Sequence, residues 1–379
     1  MSHYKISDVA VEINERENNP ANGQYERFVG LEHYVSGEVI IRNYGSTQNL
    51  ESSMKIFQSG DVLVARRNVY LKRAATVDFD GLTSGDSIVL RAKNPVIGRI
   101  LPFVLNTDDF WNFADQYSDG TMSKRLSPKT LMTYEFDLPN EDELESFADL
   151  LWAANDTREA YQELIRQTDE LVKSQFIEMF GDEDFHTCKL IEESEVITKG
   201  TTPTTIGFNF TDNGVNFVKI ENITSEGKFI TDGMMYISEE CNEAMKRSQL
   251  RNGDILFSIA GAIGRSAIVI DEILPANINQ ALAIVRLKDD TKFIRGFLLA
   301  ALKSEYVEKQ YLALKRGAAQ LNLSLKDVGN FTIPIPPAEM QEHFVAFYGQ
   351  SDKSKFELKQ NIENINSLMR SLMQQDFTN

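Results

Sequence analysis

The chain has 379 residues, of which 42% are hydrophobic and 10% aromatic, a formal net charge of −17, and only two cysteines. This supplies about two to three packed cores. No apolar run approaches the ~20 residues a membrane span needs, and the N-terminus shows no basic segment followed by the apolar core of a signal peptide. Cys188 and Cys241 lie in unrelated contexts, which excludes a disulfide framework and makes the cytoplasm the expected compartment.

Residues 1–140 read as short apolar strands between Gly, Asp and Asn turns. Phe28-Val29-Gly30-Leu31-Glu32 is one such run, and Ser59-Gly60-Asp61-Val62-Leu63-Val64 places a Gly-Asp turn before a β-rich stretch. A basic loop follows, holding Arg66, Arg67, Asn68, Tyr70, Lys72 and Arg73, and Lys124 and Arg125 form a smaller basic group.

The segment 141–182 is helical. It has no proline or glycine from Leu144 to Met179, and alternating steps of three and four residues visit Leu144, Phe147, Leu151, Ala154, Arg158, Tyr161, Ile165, Thr168, Val172, Gln175 and Met179. About 36 residues at 1.5 Å rise make a rod of roughly 54 Å. Fifteen acidic and three basic residues fall between Asp137 and Asp184, a charge of −12, which leaves −5 for the rest of the chain. The acidity is therefore local and does not exclude a nucleic-acid surface elsewhere.

Residues 183–337 repeat the β-rich layout. Phe217-Val218-Lys219-Ile220-Glu221 answers Phe28 to Glu32, and Asn252-Gly253-Asp254-Ile255-Leu256-Phe257 answers Ser59 to Val64. Lys72 to Val77 falls on Arg265 to Ile270 at an offset of 193, and Leu126-Ser127 on Leu323-Ser324 at 197. Residues 338–379 form a second helix with its own stripe: Phe344, Tyr348, Ser351, Lys355, Leu358, Ile362, Ile365, Met369 and Leu372. Each stripe is apolar on one side only. The expected fold is α+β: two β-rich domains joined by two long helices that form an antiparallel coiled coil, with a pseudo-twofold internal repeat. Such a molecule is a ruler with two reading heads.

The second half carries Arg316-Gly317-Ala318-Ala319-Gln320-Leu321-Asn322-Leu323-Ser324, then Ile333-Pro334-Ile335-Pro336-Pro337 and Glu339-Met340-Gln341. With Lys199-Gly200-Thr201-Thr202-Pro203, Gly253-Asp254-Ile255-Leu256 and Gly261-Ala262-Ile263-Gly264-Arg265, this set resembles the specificity subunit of type I restriction-modification systems. The first half keeps the frame but lacks the Ala-Gln and Thr-Thr-Pro elements and the glycine loop. The resemblance implies that each β-rich domain is a target-recognition domain for one half of a bipartite DNA site. It also implies that the helices set the spacer and bind two methyltransferase subunits, and that restriction-motor subunits join in the full complex. Methylation, ATP hydrolysis and cleavage would belong to those partners.

The residues themselves offer no catalytic constellation. There is no Asn-Pro-Pro-aromatic or Asp-Pro-Pro-aromatic run and no phosphate-binding Gly-x-x-x-x-Gly-Lys-Ser/Thr loop. His3, His33, His186 and His343 are scattered, and no metal-ligand spacing involves the cysteines. The expectation is a non-catalytic protein without cofactor or metal. DNA contact needs Arg and Lys for phosphates, and forked or amide side chains for base edges. The candidates are Arg66, Arg67, Asn68, Tyr70, Lys72, Arg73, Lys124 and Arg125 in the first half. In the second half they are Lys199, Thr201, Thr202, Arg265, Lys315, Arg316 and Gln320, with Lys246, Arg247 and Arg251 weaker. The alternative is a coiled-coil scaffold that binds proteins and not DNA.

Overall fold

The computed structural model describes the chain except residues 1, 121–122, 182–184, 315–321 and 375–379. Its contacts divide into two compact units, residues 1–162 with 360–379, and residues 163–359. Both long helices form, Leu144–Phe180 and Ala338–Gln374, and each contributes to both units.

The two units are built by the same rule. In the first, strands Ala10–Ile13, Ser87–Ala92, Val62–Ala65 and Ala74–Thr76 lie in that order in a four-stranded sheet. In the second, Ser194–Lys199, Leu282–Leu287, Ile255–Ser258 and Ser266–Ile268 lie in the same order. Each unit also has a short antiparallel pair, Ser2–Lys5 with Glu135–Leu138, and Thr187–Lys189 with Thr332–Pro334. Each has a parallel strand pairing, with Phe28 opposite Leu82 and Phe217 opposite Asn277. Short helices recur with their caps. Ser127 accepts from Thr130 N at 3.0 Å, and Ser324 from Asp327 N at 3.1 Å.

The Gly-Asp turn has a definite task. Gly60 and Gly253 adopt φ of 88° and 83°, which glycine reaches without a side-chain clash. The next residue, Asp61 or Asp254, is buried and accepts the turn's own N–H at 2.8 Å, from Gln58 or Arg251. The same carboxylate takes both prongs of a guanidinium, Arg91 at 2.8 and 2.8 Å or Arg286 at 2.8 and 2.6 Å. Turn and sheet are thereby tied together by one buried, charge-assisted fork in each unit.

Strand register corrects the sequence alignment by one residue. Val62 faces Thr76 and Ile255 faces Ile268. The offset in this strand is therefore 192 and not 193, and Arg73, not Lys72, is the counterpart of Arg265. A one-residue difference in loop length between the two copies accounts for it.

Every position of both predicted stripes is buried or half-buried. In unit 2, Phe176 and Phe180 pack on Phe344 with ring centroids 5.4 Å apart, and Asp169 binds Lys355 Nζ at 2.8 Å. In unit 1, Leu151 and Leu372 share one core. The helices run antiparallel within each unit, as one-sided stripes require. Two charged members of the stripes are paired. Arg158 donates to Glu38 at 2.6 Å and Asn155 at 2.9 Å, and Lys355 reaches Asp169 and Asp352. Burial opposes the charge on Lys355, but these two carboxylates outweigh it and raise its pKa. Gln341, buried at the start of the second helix, accepts from Ile294 N at 2.9 Å and donates to the carbonyls of Lys292 and Pro336. The Glu-Met-Gln segment is thus a helix anchor.

Candidate functional site

The first unit gathers most of its predicted residues at one place. The loop after strand Val62–Ala65 bridges the segment 124–126. Asn68 N donates to Lys124 O at 2.9 Å, Leu126 N to Arg66 O at 2.8 Å, and Arg67 pairs with Arg125. Asn68 holds φ of 58°, which asparagine tolerates, and its side chain accepts no cap bond from the following turn; its Oδ1 accepts the Ser123 hydroxyl at 3.0 Å. Lys72 adopts φ of 47°, an uncommon conformation for a lysine, and pairs with Asp108 at 2.6 Å. Lys124 pairs with Asp115 at 2.6 Å. Tyr70 is exposed beside them.

Two of these residues do structural work. Arg66 Nε donates to Leu126 O at 3.1 Å, and burial followed by the nearby Arg125 lowers its pKa. Arg73 turns inward to Leu31 O at 2.9 Å and Arg67 O at 3.1 Å. Its counterpart Arg265 donates to Ile220 O at 3.2 Å, and Ile220 is the repeat equivalent of Leu31. The two arginines pin the same turn in the two units.

In the second unit the structure brings Lys199, Thr201 and Thr202 to the end of strand Ser194–Lys199. Thr202 Oγ1 donates to Gln280 Oε1 at 2.5 Å, and Arg247 Nη2 to Lys199 O at 3.4 Å. Gln280 carries an amide suited to base edges, but sequence reasoning passed over it because nothing near it in the chain is basic. Lys315, Arg316 and Gln320 lie outside the described residues. Lys246 and Arg251 pair with Glu243 and Glu195.

Asp86 and Lys303 were also not singled out from sequence. Asp86 pairs with Arg125 and Arg67. Lys303 lies in a cavity with Arg265, Glu226 and Lys355 and donates to Ser225 O at 3.2 Å. Burial lowers its pKa from 10.5 to about 8, against Asp352, Glu226 and Asp169, which favour the charge, and with Lys355, which disfavours it. An amine that binds its proton less tightly folded than unfolded opposes folding below about pH 8. That opposition fades as pH rises from about 8 to 10.5. Unit 2 should gain stability across that window. Lys303→Met should flatten the rise and add about 1–3 kcal/mol at pH 7, measured by denaturant unfolding at several pH values. An unchanged pH profile would show that Lys303 is not the titrating group.

Among the described residues no group of His, Cys, Asp and Glu side chains could hold a metal ion. Cys188 and Cys241 are free and buried, and burial pushes the Cys188 thiol up to about 11. No helix among the described residues is long and apolar enough to cross a membrane. The charged groups that converge are donors for anions and base edges, backed by carboxylates.

Comparisons with known proteins agree with this geometry. Residues 183–367 match the family model of the type I restriction modification DNA specificity domain. The chain is 29% identical over 169 residues to the type I restriction enzyme EcoBI specificity subunit of Escherichia coli, a match covering 43% of this chain and 35% of that relative. The match therefore spans about a third of that relative's length. Among solved structures, a chain of a type I R-M system aligns with TM-score 0.60 and 21% identity over 98% of this chain and 96% of that one. The type I restriction-modification system S subunit from M. genitalium aligns with TM-score 0.55 and 15% identity over 100% of this chain and 96% of that one. At these identities the likeness is one of fold, and it extends through both units and both helices.

Proposed function

We propose, from the match of residues 183–367 to the family model of the type I restriction modification DNA specificity domain, that the chain is a DNA-reading subunit of a type I restriction-modification complex. Residues 1–140 and 183–337 each read one half of a bipartite site. The helical segments 141–182 and 338–379 fix the spacer and dock two methyltransferase subunits, and restriction-motor subunits complete the assembly in the cytoplasm. The chain itself is non-catalytic and uses no cofactor. Methylation, ATP hydrolysis and cleavage belong to its partners.

One observation carries this reading. The two units share a four-stranded sheet of the same order and a short antiparallel pair, their third sheets differ, with five strands in the first unit and three in the second, and their loops differ at equivalent positions in charge and hydrogen-bonding groups. A repeat kept for stability alone has no reason to vary there, whereas two unlike half-sites require it. Base-modification sequencing of the host genome with and without the gene tests it. A bipartite methylated motif should vanish on deletion, and an unchanged methylome would refute the reading. Charge reversal of Arg66 and Arg67 together should weaken reading of one half-site about a hundredfold and leave the other intact. Arg66 also braces Leu126, so Arg67→Glu alone serves as the milder control. Equal loss at both half-sites would contradict the modular assignment.

A further inference from the structure

Register for register, the units differ in one compact charged set. Arg66 N donates to Asp86 O at 2.9 Å and Leu126 N to Arg66 O at 2.8 Å. In the second unit Ile259 N donates to Ala281 O at 2.8 Å and Leu323 N to Ile259 O at 2.9 Å. The backbone thus matches Arg67 with Ala260, Asp86 with Ala281, and Arg125 with Asn322. Three neighbouring positions are Arg, Asp and Arg in one unit, and Ala, Ala and Asn in the other.

In the first unit Arg125 Nη2 lies 2.5 Å from Asp86 Oδ1, and Arg67 Nη1 lies 3.9 Å from Asp86 Oδ2. The two arginine side chains are 48% and 49% exposed, and Asp86 is 26% exposed. Arg67 Nε also donates to Ser123 Oγ at 3.3 Å. Ion pairs this open contribute little to stability, so stability does not explain why the three charges occur together. A carboxylate on one edge of a guanidinium does something else. It removes side-chain freedom before binding and leaves the remaining N–H groups aimed in one direction. Asp86 can do this because its backbone is fixed, its carbonyl bonded to Arg66 N and its successor Ser87 paired with Ala65 in the sheet. A planar fork held in this way matches the paired acceptors of a guanine in the major groove.

On the reading of unit 1 as a half-site reader, we propose that Asp86 is a positioning residue that holds Arg67 and Arg125 toward a guanine. It thereby determines specificity in that half-site alone. Unit 2 carries no guanidinium at the three matched described positions, Ala260, Ala281 and Asn322.

The test uses the full chain assembled with the host's methyltransferase subunits. Asp86→Asn should broaden the methylated motif at one position of one half-site, lowering the preference for guanine there at least tenfold. The other half-site should be unchanged. The slope of log K against log salt should also be unchanged, since no phosphate contact is lost. Arg125→Lys keeps the charge but loses the fork and should broaden the same position, while Asp86→Glu should recover part of the preference. If both Asp86→Asn and Arg125→Lys leave every base preference intact, or relax both half-sites equally, the inference is overturned while DNA reading stands. If the unmutated assembly shows no site-specific binding or methylation, the reading itself fails and takes the inference with it.

Discussion

Replacing Asp254 by alanine should destabilise unit 2 by about 3–5 kcal/mol, because it leaves a buried guanidinium without its counter-charge. Arg286 is only 14% exposed and directs both Nε and Nη2 into the carboxylate. Its remaining bond, to Gln249 O at 3.1 Å, is to a neutral acceptor. The substitution also orphans Arg251 N, which Asp254 receives at 2.8 Å. Hydrogen exchange should show the loss in strands Ile255–Ser258 and Leu282–Leu287, the two that the fork joins. The matching substitution, Asp61→Ala, should cost less in unit 1, because Arg91 is 33% exposed and water can partly replace the carboxylate. Arg286→Met combined with Asp254→Ala should recover part of the loss, since the pair costs more to break than to remove. A loss below about 1 kcal/mol for Asp254→Ala, or no recovery in the double variant, would show that the fork does not hold the sheet.

The same forks show what could be read from sequence. Ser59-Gly60-Asp61 and Asn252-Gly253-Asp254 were visible as turns because glycine and aspartate advertise turn geometry locally. Their partners Arg91 and Arg286 lie some thirty residues further along, where no local spacing ties them to the turns. The helix stripes were legible to the residue, since a 3.5-residue period leaves a mark at every turn. The candidate site was less legible for a physical reason. Arg73 and Arg265 looked like DNA contacts because they are basic and sit in loops, yet each guanidinium turns inward to a backbone carbonyl. Net charge in a loop does not tell which way a long side chain points. Asp86 and Gln280 escaped notice because their importance lies in what they touch across the fold, Arg125 and Thr202, and not in any neighbour along the chain.

Gly200→Ala should destabilise unit 2 by about 3 kcal/mol or more and, on the proposed function, should remove reading by that unit even where the chain remains folded. A Cβ at Gly200 would stand 1.7 Å from Ile278 O, 2.4 Å from Ile278 C and 2.7 Å from Asn279 O. These are backbone atoms at the end of a strand that pairs in parallel with Val215–Val218. No rotamer change relieves such a contact, so strand or loop must move, and overpacking of this kind exceeds the usual 1–3 kcal/mol. The glycine is required here for close approach of two segments of the chain and not for a left-handed conformation. What moves matters for function. Thr201 and Thr202 follow directly, and Thr202 is tied to Gln280, two residues beyond Ile278. Pushing the two segments apart separates the hydroxyl from its amide partner. Unit 1 gives the contrast: strand register makes Glu15 the repeat equivalent of Gly200, and the chain there continues into strand Arg16–Glu17 instead of a tight loop. Glu15→Ala should therefore change stability by no more than about 0.5 kcal/mol. Thermal unfolding of both variants, with half-site preference measured below the transition, decides the point. A Gly200→Ala protein of normal stability with both half-sites intact would mean that the close approach is not a constraint on the chain.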